Sequence, residues 1–297
     1  MIDGNYLKDT LGLKPNKYFG KILDMVNSSE TTMSDDDIIK LYESYADVEY
    51  TRRDAPAPLR INLVPENDFE AEHLTKMTGI MNNLLSSPFA LEGVLQPDAC
   101  MTGEKSIPVG GVIALKDGIS PQHHSADICC SVYVTVLDGV EPKEALDAAF
   151  EHGHFGPSGR ARDKEYKLDV DLRERMMANP FLNDGRIRSK LTSHLGTSGD
   201  GNHFVYLGRL ESTGQTVMVT HHGSRAVGAL LYKQGKKVAD KFRKTHMPSM
   251  GDEMAIIPFN TPDGKDYWDA LQLVREWTKE NHGVMHDKVV EVTGAKV

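Results

Sequence analysis

Residues 126–137 read Ala-Asp-Ile-Cys-Cys-Ser-Val-Tyr-Val-Thr-Val-Leu, and they predict a β-strand that begins beside one carboxylate and two thiols. Four residues alternate onto one face of that strand: Cys130, Val132, Val134 and Val136. Two further short strands, His203 to Leu207 and Thr216 to Thr220, can pair as a hairpin around the residues between them. The residues with reactive side chains therefore stand at strand ends.

Helix signals flank these strands without the regular β-α alternation of a doubly wound sheet. Ser34 precedes three aspartates and an apolar face, which is typical of an N-capped helix. Asn67, Pro142 and Thr261 precede three further helical patterns, the last of them long. Residues 111–115 predict a buried strand. The mixture of strands and helices indicates an α+β fold.

Composition places the chain among globular proteins with one large or two smaller domains. Its 297 residues are 39% hydrophobic and carry a formal net charge of −9, which argues against a mainly electrostatic nucleic-acid binder. Three cysteines, two of them adjacent, make no disulfide framework and favour a reducing compartment. The acidic N-terminus is no signal peptide, and no apolar run approaches the ~20 residues that span a bilayer. We expect a cytoplasmic protein with no membrane partner.

Four residues form a candidate metal-ligand set. Asp127 and Cys130 are three residues apart around a tight turn, so an oxygen and a sulfur can reach one site. His203 follows a glycine turn, and His221 ends a β-branched strand. Thiolate, imidazole and carboxylate suit zinc, manganese, iron or cobalt better than calcium or magnesium. Adjacent cysteines alone are more commonly buried small apolar residues, but the two histidines shift the interpretation toward a metal site.

Two turns beside these residues carry anion-binding chemistry. Residues 199–202 read Gly-Asp-Gly-Asn, so the backbone can approach a ligand closely and offer N–H groups to phosphate. The turn lacks the Lys and Ser/Thr of a P-loop, which makes this signal weak by itself. Shortly after His221, the Ser224 hydroxyl and the Arg225 guanidinium can hold an oxyanion.

Four segments resemble motifs of the RtcB family, the GTP- and manganese-dependent RNA ligases that join 3′-phosphate or 2′,3′-cyclic phosphate ends to 5′-hydroxyl ends. Pro97-Asp98 with the glycines that follow resembles the family's PDxHxGxGxxxGxV stretch. Residues 127–131 resemble its DIGCG signature, residues 195–204 its GTLGxGNHF segment, and residues 221–228 its HSGSRGxG segment. The motifs occur in the family's order over about residues 90–290.

The resemblance implies a site and a reaction. In the family a histidine attacks the α-phosphorus of GTP, GMP passes to the RNA 3′-phosphate, and the 5′-hydroxyl then displaces it. The implied cofactors are GTP and two Mn²⁺ ions, and the implied partners are RNA ends in RNA repair or tRNA splicing. The implied metal ligands are Asp127, Cys130 (shared by both ions), His203 and His221. The implied nucleotide- and phosphate-binding residues are Asn202, Phe204, Tyr206, Ser224 and Arg225.

The resemblance also implies an RtcB-like mixed-sheet fold with surrounding helices, shortened at the C-terminus. We expect an N-terminal helical and extended region over residues 1–88 and an RtcB-like metal- and nucleotide-binding domain over residues 89–297. Family members continue into a further ligand and the nucleophilic histidine, and nothing after His221 resembles those segments. His282 and His286 are interpreted as surface or packing residues. The family's catalytic histidine is therefore unassigned here. Either a second polypeptide or a longer gene supplies the missing part, or the chain is a degenerate relative.

Four further positions depart from the family pattern. Tyr206 stands at the glutamate of NHFxE, and Cys100 stands at the histidine of PDVH. Cys129 and Ser131 replace both glycines of DIGCG, which is tolerated only where the turn needs no positive φ. Three hypotheses follow: an RtcB-type ligase, a catalytically deficient relative that keeps metal and phosphate binding, or a metal-dependent phosphoesterase.

Basic residues cluster in two segments that are candidates for RNA contact despite the acidic total. Such clusters are commonly just solvated surface, so the family resemblance provides most of the support for this interpretation. The clusters are Arg160, Arg162 and Lys164 in one segment, and Arg186, Arg188 and Lys190 in the other.

Overall fold

The computed structural model describes residues 2–16, 18–29, 31–45 and 49–297. The α-helices in these residues are α1 (Phe19–Ser28), α2 (Asp35–Tyr45), α3 (Asp68–Leu85), α4 (Pro142–His152), α5 (Val170–Ala178), α6 (Gly185–Ser193), α7 (Arg225–His246) and α8 (Pro262–Thr293). The strands are β1 (Leu59–Ile61), β2 (Ala90–Cys100), β3 (Val109–Leu115), β4 (Gly118–Ile119), β5 (Ser131–Leu137), β6 (Phe204–Arg209), β7 (Thr216–His222) and β8 (Ile257–Pro258). Helices with small mixed and antiparallel sheets make an α+β fold, as predicted.

The chain forms two compact units, each collected from two stretches of sequence. The first unit comprises residues 1–123 and 236–265, and the second comprises residues 124–235 and 266–297. The division at residue 88 that the sequence suggested stays a prediction. All four candidate metal ligands belong to the second unit.

The first unit contains a π-helical segment over Tyr6–Thr10, the helix pair α1 and α2, helix α3 and a three-stranded sheet. The Ser34 hydroxyl accepts a hydrogen bond from the Asp37 amide at 3.2 Å, which confirms the predicted start of α2. Asn67 caps α3 in the same manner, accepting from the amide of Glu70 at 3.0 Å. The capped helices each present an apolar side to a buried cluster. Their buried residues include Ile22, Val26, Ile38 and Leu41 between α1 and α2, and Met77, Met81 and Leu85 of α3.

The first unit's sheet has the order β1-β2-β3, with β1 parallel and β3 antiparallel to β2. Helix α3 covers one face, where Leu95 of β2 is fully buried. Val112 of β3 is 54% exposed on the other face. The prediction of a buried strand over residues 111–115 is therefore wrong in burial, because only one face of this sheet is covered.

The second unit is organised around the antiparallel sheet β5-β7-β6. Strands β6 and β7 form the predicted hairpin. The face of this sheet that packs against α4 and α8 is called the inner face, and its core includes Leu137, Met218 and Val289. The opposite face, called the outer face, leaves Val132 and Val134 more than half exposed.

Helix α8 begins where the sequence predicts, with the Thr261 hydroxyl accepting a hydrogen bond from the Gly264 amide at 3.1 Å. Its apolar side is buried at Tyr267, Val274 and Trp277. Among the described residues, no helix is both long and apolar enough to cross a membrane.

Candidate metal and phosphate site

The antiparallel sheet brings the candidate ligands to one end. Cys130 directly precedes β5, His203 directly precedes β6, and His221 is the penultimate residue of β7. Because β5 and β6 both run antiparallel to β7, the first residues of these two strands lie beside the last residues of β7. The register pairs Val132 with His221 and His221 with Phe204. Three ligands that are distant in sequence therefore meet through strand pairing alone.

Asp127, Cys130 and His203 form a compact group, and His221 joins it through its contact with Cys130. The Cys130 Sγ lies 2.9 Å from the His221 Nε2 and 3.7 Å from the His203 Nε2. The His203 Nε2 also lies 2.9 Å from the Asp127 Oδ2. One ligand atom from each of Asp127, Cys130 and His203 fits within a mutual distance of 4.8 Å.

These residues fit a divalent transition-metal ion. Atoms bound at about 2.0–2.3 Å to a tetrahedral ion lie about 3.3–3.8 Å apart, so the observed separations need only small side-chain movements. The His203 side chain is mostly buried, and its Nδ1 makes no hydrogen bond within the described part of the chain. Sulfur, imidazole and carboxylate are ligands for manganese, iron, cobalt or zinc. Metal binding and the identity of the metal stay predictions.

Burial and the neighbouring Asp127 carboxylate keep the Cys130 thiol protonated in this structure. Burial raises the pKa of Cys130 to about 12, with further contributions from the hydrogen bond and the negative charge of Asp127. A divalent ion between the two side chains would reverse this balance, because a coordinating thiol loses its proton.

The turn that carries Asp127 and Cys130 is strained. Cys129 has φ +58° and Ser125 has φ +62°, values that L-residues rarely adopt. The condition that a Cβ at residue 129 requires a turn without positive φ is therefore not met, yet cysteine occupies the position. Cys129 adopts the left-handed conformation at a cost of about 1–2 kcal/mol.

Glycine at position 223 leaves room for the Asp127 carboxylate. A Cβ at Gly223 would overlap the carboxylate of Asp127. The following residue ties the two turns together, because the Ser224 amide donates to the Ile128 carbonyl at 3.2 Å. The Ser224 hydroxyl is fully buried and has no hydrogen-bond partner among the described residues. The turns that hold Asp127 and His221 are thus packed against each other.

Arg225 is held by the protein on the side of the glycine-rich turn. Its Nε donates to the Thr197 hydroxyl at 3.2 Å, and its Nη2 donates to the Gly156 carbonyl at 2.8 Å. Burial lowers the pKa of its guanidinium, while Asp200 and Asp127 partly offset that effect. A Cβ at Gly199 would overlap the guanidinium. Arg225 therefore lies among the predicted phosphate-binding residues with two of its donors already engaged.

The remaining predicted nucleotide-binding residues lie on or near the exposed outer face. Phe204 is 43% exposed and sets its ring edge toward His221 at a centroid distance of 5.3 Å. Tyr206, on the same face, directs its ring along β6 toward Gly208, where a Cβ would overlap it. Asn202 is exposed in the turn before His203. The structure places Phe204 at the ligands and turns Tyr206 away from them.

Sequence reasoning missed the contribution of Asn281 to this region. Its Oδ1 accepts from the Gly196 and Thr197 amides at 2.6 and 3.1 Å, and its Nδ2 donates to the Thr197 carbonyl at 3.1 Å. The same Nδ2 lies 3.1 Å from the Nδ1 of His222. A signal existed in the sequence, since Asn281 lies four residues after the buried Trp277 and so shares its helix face.

His282 and His286 are buried, so their interpretation as packing residues is confirmed and their interpretation as surface residues is wrong. They are 1% and 2% exposed. Both follow the buried Thr278 at four-residue steps, which was the available signal.

Arg160, Arg186 and Arg188 of the two basic clusters make contacts within the protein. Arg160 stacks over the Tyr166 ring at 4.5 Å and donates to the Gly196 carbonyl at 3.2 Å. Arg186 pairs with Asp184 at the start of α6. RNA contact by these clusters stays a prediction.

A sequence model described as tRNA-splicing ligase RtcB matches residues 143–297, which is more than half of the chain. The protein therefore belongs to the RtcB family. The matched region contains His203, His221 and the turns around them, and it begins after Asp127 and Cys130.

Curated relatives agree with this assignment. The chain is 26% identical over 234 residues to the tRNA-splicing ligase RtcB of Thermococcus kodakarensis, covering 59% of this chain and 48% of that protein. It is 27% identical over 239 residues to the tRNA-splicing ligase RtcB of Aeropyrum pernix, covering 59% and 49%. It is 26% identical over 229 residues to the RNA-splicing ligase RtcB of Escherichia coli K12, covering 70% and 55%. The chain thus spans about half the length of the relatives it matches.

Proposed function

We propose that this protein acts in RNA ligation of the RtcB type, joining RNA 3′-phosphate or 2′,3′-cyclic phosphate ends to 5′-hydroxyl ends with GTP and Mn²⁺. The cellular roles that follow are RNA repair and tRNA splicing. Membership of the RtcB family supports the class of reaction. The names of the matched relatives, which describe RNA-splicing and tRNA-splicing ligases, support the substrate.

The observation that carries the proposal is the grouping of a thiol, a carboxylate and an imidazole at one end of a sheet, with a second imidazole beside the thiol. Asp127, Cys130, His203 and His221 would hold manganese, with Cys130 placed between the two imidazoles. Bound manganese would polarise phosphoryl oxygens and offset the charge that develops during displacement.

The protein's own residues would bind and orient the phosphates and the base. The Arg225 guanidinium, fixed by two hydrogen bonds, supplies positive charge beside the metal ligands. Asn202 is free to contact phosphate from the exposed turn. Phe204 presents an exposed aromatic surface next to His221, on which a nucleobase can stack.

This stretch of sequence contributes the candidate metal-binding part of the proposed site. The matched relatives are about twice as long as the portion they share with this chain. No residue of this chain is assigned as the guanylylated histidine, and in this proposal either further sequence of the same protein or a second polypeptide supplies it.

A ligation assay tests the proposed reaction. The purified chain is incubated with Mn²⁺, GTP, an RNA that ends in a 3′-phosphate and a labelled RNA that begins with a 5′-hydroxyl, alone and with cell extract. Joined RNA that requires GTP, manganese and Cys130 supports the ligase. The matched control is Cys100→Ala, which removes an exposed thiol in the first unit.

The other outcomes separate the remaining hypotheses. Covalent label on this polypeptide after incubation with α-labelled GTP would show that it carries its own nucleophile. Manganese binding without joining, even with extract, would favour a catalytically deficient relative. Phosphodiester cleavage without GTP would favour a metal-dependent phosphoesterase.

A further inference from the structure

A chain of hydrogen-bonded side chains runs between α8 and the inner face of the sheet. It comprises two imidazoles and three hydroxyls, in the order Ser131, His282, Thr220, His286 and Thr135. The His282 Nε2 lies 3.2 Å from the Ser131 Oγ, and its Nδ1 lies 2.7 Å from the Thr220 Oγ1. The Thr220 Oγ1 lies 2.9 Å from the His286 Nε2, and the His286 Nδ1 lies 2.7 Å from the Thr135 Oγ1. All four ring nitrogens therefore have hydroxyl partners.

The donors and acceptors of this chain are mutually compatible. Burial lowers the pKa of His282 and of His286 to about 4, so both imidazoles are neutral near pH 7. A neutral imidazole offers one donor and one acceptor, and a hydroxyl offers both. Each donor in this series of side chains can therefore point to the next acceptor, in one direction from Ser131 to Thr135 or in the reverse direction. A buried network that is fully satisfied fixes one arrangement of the groups it joins.

His282 joins the two strands directly behind the candidate ligands. Ser131 immediately follows Cys130, and Thr220 immediately precedes His221. Successive residues of a strand face opposite sides, so the hydroxyls lie on the inner face while the His221 side chain lies on the outer one. The His282 ring spans the gap between β5 and β7 at this level.

Two neighbours restrict the orientation of the His282 ring. The His222 ring stacks on it with a centroid distance of 3.5 Å and an interplanar angle of 17°. The Tyr133 ring also stacks on it, at 5.6 Å and 16°. The ring is therefore held in its plane by stacking and at its two nitrogens by hydrogen bonds.

We propose that His282 is a positioning residue for the candidate metal centre, fixing the separation of Cys130 and His221 by holding the adjoining residue of each strand from the inner face. The proposal rests on the metal centre of the proposed function, and it assigns a role to a residue that touches no metal ligand through its own hydrogen bonds. A transition-metal ion requires sulfur and nitrogen within about 2.0–2.3 Å, so a small shear between β5 and β7 lowers its affinity.

Cobalt titration of the purified protein tests the proposal, because a thiolate-to-cobalt charge-transfer band reports the Cys130–metal bond. His282→Phe keeps a ring of similar size and removes both hydrogen bonds. We expect Co²⁺ binding to weaken by about 10–100-fold, the range found when a partner that orients a ligand is lost. The band should also lose intensity at saturation. His282→Gln can reach one hydroxyl with its amide and should recover part of both signals.

His286→Phe is the matched control. His286 lies one turn further along α8, is equally buried and also bridges two hydroxyls, but its second partner, Thr135, pairs with Met218 rather than adjoining a ligand. It should lower the melting temperature about as much as His282→Phe while leaving the Co²⁺ affinity within about threefold. Equal weakening by both variants, or unchanged binding in both His282 variants, would overturn the positioning role. Absence of cobalt binding by the unmodified protein would instead overturn the metal centre and with it the proposed function.

Discussion

Histidines on the inner face of the sheet β5-β7-β6 and histidines at the end of the sheet that carries the candidate ligands have different neighbours. On the inner face, His282 and His286 place every ring nitrogen against a threonine or serine hydroxyl and are almost fully buried. At the ligand end of the sheet, the Nε2 atoms of His203 and His221 approach a thiol and, for His203, a carboxylate. Hydroxyls satisfy both nitrogens of a neutral imidazole, whereas a carboxylate, together with a thiol that loses its proton on metal binding, would supply negative charge to a metal ion.

The atoms that contact an imidazole, rather than its exposure alone, distinguish a structural histidine from a candidate metal ligand. His203 is mostly buried, as the inner histidines are, yet its Nδ1 has no hydrogen bond among the described residues. A buried polar atom without a partner normally costs free energy, so this environment is less favourable for His203 than the hydroxyl contacts are for the inner histidines.

Removal of the Cys130 thiol should produce the largest effect on metal affinity. Cys130→Ala deletes a sulfur that lies 2.9 Å from the His221 imidazole and 3.7 Å from the His203 imidazole. Its Mn²⁺ affinity should fall by more than the ~100-fold typical of losing a supporting contact. Equilibrium dialysis with metal analysis measures the change. Cys100→Ala should bind as the unmodified protein does, and an equal loss in the two variants would argue against a thiolate ligand.

Acidification should lower the free energy of unfolding through the buried histidines of the inner face. This effect distinguishes them from the candidate ligands. The unfolded chain protonates His286 near pH 6.5, whereas burial holds its folded-state pKa at about 4. The free energy of unfolding should therefore fall as the pH drops from about 6.5 to about 4, by up to about 3 kcal/mol from this residue. Urea denaturation across that range should show a shallower fall for His286→Gln. Parallel curves for both proteins would contradict neutral burial of His286.

Gly223→Ala tests whether the position of Asp127 affects metal affinity, without replacing a candidate ligand. The added Cβ would overlap the Asp127 carboxylate and force it from its place beside His203. We expect Mn²⁺ affinity to fall by about 10–100-fold. Gly185→Ala is the control, since a Cβ there has no neighbour within 4 Å. Unchanged affinity in Gly223→Ala would show that the position of Asp127 does not matter for binding.

Gly283→Ala should have the smallest effect and separates helix propensity from histidine contacts. Gly283 lies within α8 between the two inner histidines, and a Cβ there would meet nothing within 4 Å. Alanine should raise the free energy of unfolding by about 1 kcal/mol through helix propensity. Metal affinity should not change, and a loss of affinity would indicate that α8 influences the ligands more generally than through His282.

Local sequence signals predicted the elements that position the site. The caps at Ser34, Asn67 and Thr261 each supply a side-chain oxygen to a helix start, and all three helices begin there. The β6-β7 hairpin was predicted from two β-rich runs. Its pairing with β5 required a long-range contact that no local pattern encodes, and that pairing brings Cys130 to His221.

Sequence reasoning failed where the outcome depended on the surroundings. Strand β2 was missed because Gly93 and Pro97 interrupt it, and α7 was missed because Gly228 and Gly235 lie within its pattern. The conformation of Cys129 could not be derived from composition, because the surrounding turn imposes it. The His282 network needed the register between α8 and the sheet, which only the folded chain supplies.

Anomalous diffraction from crystals grown with Mn²⁺ tests the central claim most directly. Data collected on both sides of the manganese absorption edge locate the ion independently of any assumed chemistry. We expect a peak at the end of the sheet β5-β7-β6, within bonding distance of Cys130, His203 and His221. A fully occupied peak elsewhere in the molecule, or none at saturating Mn²⁺, would contradict the central claim.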